Sequence, residues 1–117
     1  MKICYIAAHC GHTAKWLEYF VRKGHDVHLI SVNRSQIKMP GVNIHYLPSF
    51  ESKILRLAST FLIGGILSRK IINRIKPDVV HAFEVSEGFC GALTGFHPFV
   101  MTPQGSDLLV FSKNLLL

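Results

Sequence analysis

Acidic residues, cysteines and long apolar runs are all scarce in this chain of 117 residues. Only 7 Asp and Glu stand against 13 Lys and Arg, so the net charge of +6 favours anionic partners such as phosphates, nucleic acid or lipid head groups. The 3 cysteines show no paired spacing, which argues against a disulfide scaffold and for a reducing compartment. The opening apolar run, Ile3–Ala8, is too short for a secretory signal. Disorder is excluded, because 49% of the residues are apolar and only 17% are charged.

Two common nucleotide-binding motifs are also missing. The segment after Ile3–Ala8 has no G-x-G-x-x-G, and the next apolar segment ends at Ser31–Asn33 without an acidic residue for a dinucleotide ribose. No Walker lysine motif is present, which argues against hydrolysis of a nucleoside triphosphate. His9, Cys10 and His12 lie close together, but no second ligand pair completes a metal site. We therefore expect no cofactor and no metal.

What the sequence does contain is an alternation of short strands and helices. Strands are predicted at Ile3–Ala8, Asp26–Val32, Val42–Leu47, Asp78–Ala82 and Phe99–Thr102. Helices are predicted from a Thr13 cap to Gly24, over Glu51–Lys76 as two helices meeting at Gly64–Gly65, and from a Ser86 cap to about Thr94. This alternation predicts an α/β fold, a doubly wound, Rossmann-like parallel sheet in three layers.

In such a sheet, ligands bind beyond the carboxyl ends of the strands, where the strand order reverses. That rule selects three loops, His9–Thr13, Phe83–Ser86 and Pro103–Asp107. The residues Gly11, His12 and Thr13 would stand at a helix N-terminus, which can hold a phosphate, although a plain capped turn would have the same sequence. Glu84 could bind sugar hydroxyls or act as a base, or it could be a solvated loop carboxylate.

The segment Lys53–Lys76 combines an apolar body with six basic residues. Either its helices cover the sheet, or part of their surface makes a peripheral contact with an anionic membrane. Nucleic acid is not expected as a partner, because the aromatic residues do not alternate with the charges.

Four blocks of sequence follow one another in an order typical of one enzyme family: Lys2–Ile6, Gly24–Ser31, Pro77–Ala82 and Thr102–Asp107. Together they resemble the N-terminal domain of glycosyltransferase family 4, retaining enzymes with the GT-B fold. The resemblance implies that residues 1–117 are a partial, truncated N-terminal half of a GT-B fold, with the C-terminal donor-binding domain absent. In that family a sugar passes from a nucleoside diphosphate sugar to a glycan or lipid-linked acceptor, without an obligatory metal.

The resemblance also implies roles for particular residues. The loop residues Gly11, His12 and Thr13 would lie near the donor diphosphate. The acceptor cleft would contain Glu84, Ser86, Gln104, Gly105, Ser106 and Asp107. The candidate catalytic residues are Gln104 and Glu84, although Gln104 stands where many relatives carry a histidine, and an amide cannot carry the charge of an imidazole.

The expected parent protein is therefore a cytoplasmic glycosyltransferase, either free in the cytoplasm or at the inner face of the cell membrane. The fragment alone is expected to be inactive, because one side of the cleft that would stabilise the leaving diphosphate is missing. Self-association through the truncated sheet edge is also expected. The alternatives are a stand-alone, non-catalytic binding module for a phosphorylated or sugar ligand, and a small interaction domain with basic helices.

Overall fold

The computed structural model of this chain describes residues 1–31, 34–47, 64–83 and 91–102. The predicted site residues Glu84, Ser86 and Gln104–Asp107 lie outside the described residues, as does the first half of the helical segment predicted over Glu51–Lys76.

Five strands and two long helices lie within the described ranges. They are β1 (Lys2–Ile6), α1 (Gly11–Arg22), β2 (Asp26–Ser31), β3 (Val42–Tyr46), α2 (Gly64–Ile75), β4 (Val79–Phe83) and β5 (Phe99–Thr102). The strands form one sheet in the order β3-β2-β1-β4-β5, and every neighbouring pair is parallel. This confirms the α/β, Rossmann-like prediction, and the strand order reverses between β1 and β4.

The predicted strand boundaries agree with the observed ones to within one or two residues. The largest difference is at β1, which ends at Ile6 although the apolar run continues to Ala8. Ala7 still donates its N–H to the Ile30 carbonyl over 3.1 Å, so sheet-like bonding continues just past the strand.

Helix α1 is fixed by its buried face and by the glycine that ends it. Leu17 has no exposed surface, and burying a leucine completely stabilises a fold by about 1.5–3 kcal/mol. Gly24 has a φ of +84° and donates its N–H to the Val21 carbonyl over 3.0 Å, while His25 donates to the Phe20 carbonyl over 3.2 Å. These two bonds make a Schellman motif, which confirms Gly24 as the end of the helix.

The prediction that Thr13 caps α1 is wrong. The helix begins at Gly11, and the capping residue is Cys10, whose φ of −142° and ψ of 173° are extended. Thr13 is the third helical residue, and its side chain is buried at 3% exposure beside the Cys10 sulfur. The sequence preference for threonine as a cap was therefore overridden by burial of this side chain.

The helices lie on opposite faces of the sheet, which gives the three predicted layers. Ile3 and Tyr5 of β1 point into the cluster that contains Leu17 of α1. Cys4 and Ile6 alternate with them and point into the cluster that contains Ile72 of α2. Both faces of β1 are buried, which explains why its sequence does not alternate between apolar and polar residues.

Candidate functional site

Three strands that lead into the predicted site loops end at one edge of the sheet. Ile6 of β1 is in register with Ala82 of β4, and Phe83 of β4 is in register with Thr102 of β5. These strand ends therefore lie side by side next to the point of order reversal, where α/β sheets bind ligands. The residues after Phe83 and after Thr102 lie outside the described residues, so Glu84, Ser86 and Gln104–Asp107 stay predictions.

The described part of this edge is the start of α1. The first α-helical hydrogen bond runs from the Ala14 N–H to the Cys10 carbonyl over 2.9 Å. The N–H groups of Gly11, His12 and Thr13 precede it and therefore lie outside the helix's own bonding. Cys10 provides no side-chain cap, and the first turn has no acidic residue. No carboxylate of α1 thus offsets the positive end of its macrodipole, which favours an anion there.

The side chains of this first turn differ in what they can offer a ligand. That of Thr13 is buried, and its hydroxyl lies 3.4 Å from the Cys10 sulfur. His12 and Lys15 are exposed. Among the described residues, the nearest neighbour of a Cβ added at Gly11 would be Ile37 Cδ1, at 3.9 Å, so this position has room for a side chain. Thr13 can therefore contribute only its N–H, whereas His12 and Lys15 can also contribute charge.

The turn before α1 is held by a buried histidine whose role the sequence did not indicate. His9 is 3% exposed, and its Nε2 lies 2.8 Å from the Ile37 carbonyl. A carbonyl only accepts, so Nε2 carries the proton and donates it. Nδ1 then accepts from the Tyr46 hydroxyl over 2.9 Å. These bonds join the start of α1 to the β2–β3 connection and to the end of β3.

Metal ligation by His9 does not agree with this arrangement, since both ring nitrogens are engaged by protein groups. Within the described ranges, no cluster of three or more His, Cys, Asp or Glu residues could hold a metal ion.

The guanidinium of Arg34 lies 4.6 Å from the centre of the Tyr46 ring, close enough for a cation–π contact. This places a cation near the end of β3.

A second histidine joins β4 to β5 near the same edge. The Nε2 of His81 lies 2.7 Å from the Thr102 hydroxyl. The imidazole also contacts aromatic rings, with centres 4.9 Å from Phe83 and 5.4 Å from Tyr5. Burial lowers the pKa of His81 from its usual value, which favours the neutral ring. Thr102 is thus held directly before the loop that contains Gln104.

The basic segment predicted to contact a membrane is described from residue 64 onward. The outer face of α2 and the residue after it carry exposed Arg69, Lys70, Arg74 and Lys76. Among the residues that the structure describes, no helix has the length and apolar character needed to span a membrane.

Comparison with known proteins gives a family and a fold. The model of the glycosyl transferase 4-like family matches residues 2–117. None of the curated proteins matches the chain. Among solved structures, the C-terminal domain (residues 83–215) of a hydrogenase from Pyrococcus furiosus is similar, with a TM-score of 0.61 and 12% identity over 88% of this chain and 90% of that one. At this identity the likeness shows a shared fold alone. The chain belongs to the glycosyl transferase 4-like family, and its general function is that of a glycosyltransferase domain.

Proposed function

We propose that this chain is the acceptor-side, N-terminal domain of a retaining glycosyltransferase. The enzyme would transfer a sugar from a nucleoside diphosphate sugar to a glycan or lipid-linked acceptor in the cytoplasm. Family membership supports the reaction class. The observation that carries the proposal for the site is the start of α1, which has no side-chain cap and lies at the reversal of strand order.

The chemistry of sugar transfer explains why such a helix start is useful. As the bond to the donor breaks, negative charge grows on the leaving diphosphate while the sugar becomes oxocarbenium-like. Preorganised N–H donors stabilise that charge without moving during the reaction. The helix holds the N–H groups of Gly11, His12 and Thr13 in fixed positions without intrahelical partners. The macrodipole adds roughly half a positive charge at the same place.

The acceptor is proposed to lie beside these amides, between the loops that follow β4 and β5. Glu84 and Ser86 would come from the first loop and Gln104–Asp107 from the second. The hydrogen bond between His81 and Thr102 supports this proposal, because it ties together the two strand ends from which the loops leave.

Amide chemical shifts of the ¹⁵N-labelled chain test the anion site directly. Pyrophosphate or a nucleoside diphosphate should shift Gly11, His12 and Thr13 most, and the corresponding nucleoside, which lacks phosphate, should leave these three amides unmoved. Shifts centred on the outer face of α2 instead would contradict the assignment.

Sugar transfer tests the division between the two domains. With a panel of nucleoside diphosphate sugars, the 117-residue chain should show no turnover, and measurable transfer would overturn the proposal that it needs a second domain. In the complete enzyme, Gln104→Ala and Glu84→Ala should each lower kcat/KM. If both variants keep full activity, the cleft assignment is wrong. The anomeric configuration of the product, read by NMR, tests retention.

A non-catalytic binding module is the second candidate. One observation supports it: the start of α1, where the phosphate would bind, is formed within this chain and needs no residue of a second domain. An open reading frame that continues past Leu117 into a second Rossmann-like half would favour the enzyme, and a stop codon there would favour the module.

A further inference from the structure

One exposed face of α1 combines aromatic rings with positive charge. This outer stripe of α1 consists of His12, Lys15, Trp16, Tyr19 and Lys23, whose spacing of three or four residues puts them on one side of the helix. Trp16 is 41% and Tyr19 58% exposed, and the three basic residues are exposed as well. An open groove of about 440 Å³ runs along the stripe, and Phe20 forms part of its lining.

The positive charge of the outer stripe is not neutralised by a carboxylate on α1. Glu18 is the helix's acidic residue, and it is engaged by Arg22, with 2.5 Å between carboxylate and guanidinium. The ammonium group of Lys23 lies 5.5 Å from the centre of the Tyr19 ring, within reach of a cation–π contact. Within the described ranges, Lys15 and Lys23 thus present positive charge beside aromatic rings.

Each aromatic residue of the stripe packs against a phenylalanine along one edge and exposes another part of its ring to solvent. The Trp16 ring meets Phe83 edge-on, with ring centres 5.3 Å apart, and Tyr19 meets Phe20 in the same way at 5.2 Å. Their remaining surface faces outward. Tryptophan and tyrosine with flanking lysines are typical of protein surfaces at the lipid–water boundary, because each side chain has an apolar body and a polar end.

We propose that the outer stripe of α1 docks on an anionic lipid surface. A helix that exposes aromatic rings and lysines on one face is typical of helices that lie on a membrane surface, and the lysines complement anionic head groups. Because α1 and α2 cover opposite faces of the sheet, a flat membrane can contact only one of them. The outer face of α2 is basic too, but its exposed apolar residue is Ile66 and its sequence has no aromatic residue. The aromatic pair therefore favours α1 over α2.

Fluorescence of Trp16 gives a direct measurement, because it is the single tryptophan of the chain. Vesicles of phosphatidylcholine with phosphatidylglycerol should shift its emission to shorter wavelength, and the shift should weaken as salt is added. Vesicles of phosphatidylcholine alone should leave the emission unchanged. An equal response to both vesicles would overturn the electrostatic part of the proposal.

Two double variants with the same net charge separate the helices. Lys15→Glu with Lys23→Glu, and Arg69→Glu with Lys70→Glu, each lower the net charge from +6 to +2, because each reversal removes two charges. A lysine near an anionic surface contributes about fivefold to partitioning, so the α1 pair should lose at least about 30-fold and the α2 pair only a few-fold. An equal loss in both, or a larger one for the α2 pair, would overturn the proposal. Far-UV circular dichroism checks that both variants are folded.

A third variant tests the aromatic contribution without changing charge. Tyr19→Ser alters an exposed side chain, so the fold should be preserved, and the vesicle-induced shift should be reduced at equal lipid concentration. Unchanged partitioning would contradict a role for the aromatic pair. The vesicle-induced shift should persist in the presence of inorganic phosphate at matched ionic strength, because phosphate is proposed to bind the amides at the start of α1 and not the stripe. Loss of the shift with saturating phosphate would indicate a soluble ligand instead. These measurements do not depend on sugar transfer, so their failure would leave the proposed function unaffected.

Discussion

Replacing Gly11 with aspartate should stabilise the fold and weaken anion binding at the same time. The position tolerates a side chain, because its φ is not positive and the nearest described atom to an added Cβ is 3.9 Å away. Removing a glycine at a compatible position stabilises by about 0.4–1 kcal/mol. A carboxylate in the first turn of a helix adds about 0.3–1 kcal/mol through the macrodipole. We therefore expect the free energy of unfolding, measured in urea, to rise by about 1–2 kcal/mol.

The same carboxylate should repel a diphosphate bound at the α1 amides. At a separation of about 5 Å, two unit charges repel by about 1 kcal/mol in water and about 3 kcal/mol at an effective dielectric of 20. Pyrophosphate affinity, measured by isothermal titration calorimetry, should therefore fall at least about fivefold. Gly11→Ala is the matched control and should gain stability while keeping its affinity. Unchanged affinity in Gly11→Asp would refute an anion site at this helix start, and a loss of stability would refute Gly11 as its first residue.

Three further predictions concern the described core and turns. Gly41→Ala should destabilise the fold by about 1–3 kcal/mol more than Gly24→Ala in urea, because both residues have positive φ but only at Gly41 would a Cβ meet Val21, at 2.6 Å. Equal costs would contradict this clash. Burial lowers the pKa of His81 below its usual 6.5. As the pH drops below about 6.5, this histidine therefore takes up a proton more readily in the unfolded chain than in the folded one, and the free energy of unfolding should fall. His81→Gln should flatten this pH dependence, and an unchanged slope would count against it. Burial raises the pKa of the Cys4 thiol to about 12, so mass spectrometry should find Cys4 unmodified by iodoacetamide until urea is added, and rapid labelling of the native chain would contradict its burial.

The architecture could be predicted from the sequence because its signals are local. The unbroken apolar run of β1 indicates burial on both faces, and Gly24 marks the end of α1 because the Schellman motif needs a positive φ. Pro40–Gly41 marks a turn before β3 for a similar reason. The rule that parallel strands end at a common edge then brings the site loops together without any knowledge of distant contacts.

The details of the site depend on contacts that are distant in the chain. His9 meets Tyr46 across 37 positions, and nothing in the residues next to either one indicates that pairing. His81 meets Thr102 across 21 positions. The sequence predicts the wrong start for α1 because cap preferences favour threonine, whereas in the structure the Thr13 side chain fills a buried space. Local sequence preference predicts where helices and strands lie, whereas burial and distant contacts determine the role of each side chain.

The central place of β1 has a consequence for biosynthesis. The Lys2 N–H donates to the Asp78 carboxylate, and these partners are 76 positions apart. At roughly 5–20 residues per second, a ribosome needs about 4–15 seconds to produce the second partner after the first. During that interval β1 can pair with β2 along one edge, but its other edge has no partner until β4 has been made. We therefore expect the nascent chain to be a chaperone client until β4 and β5 have left the exit tunnel.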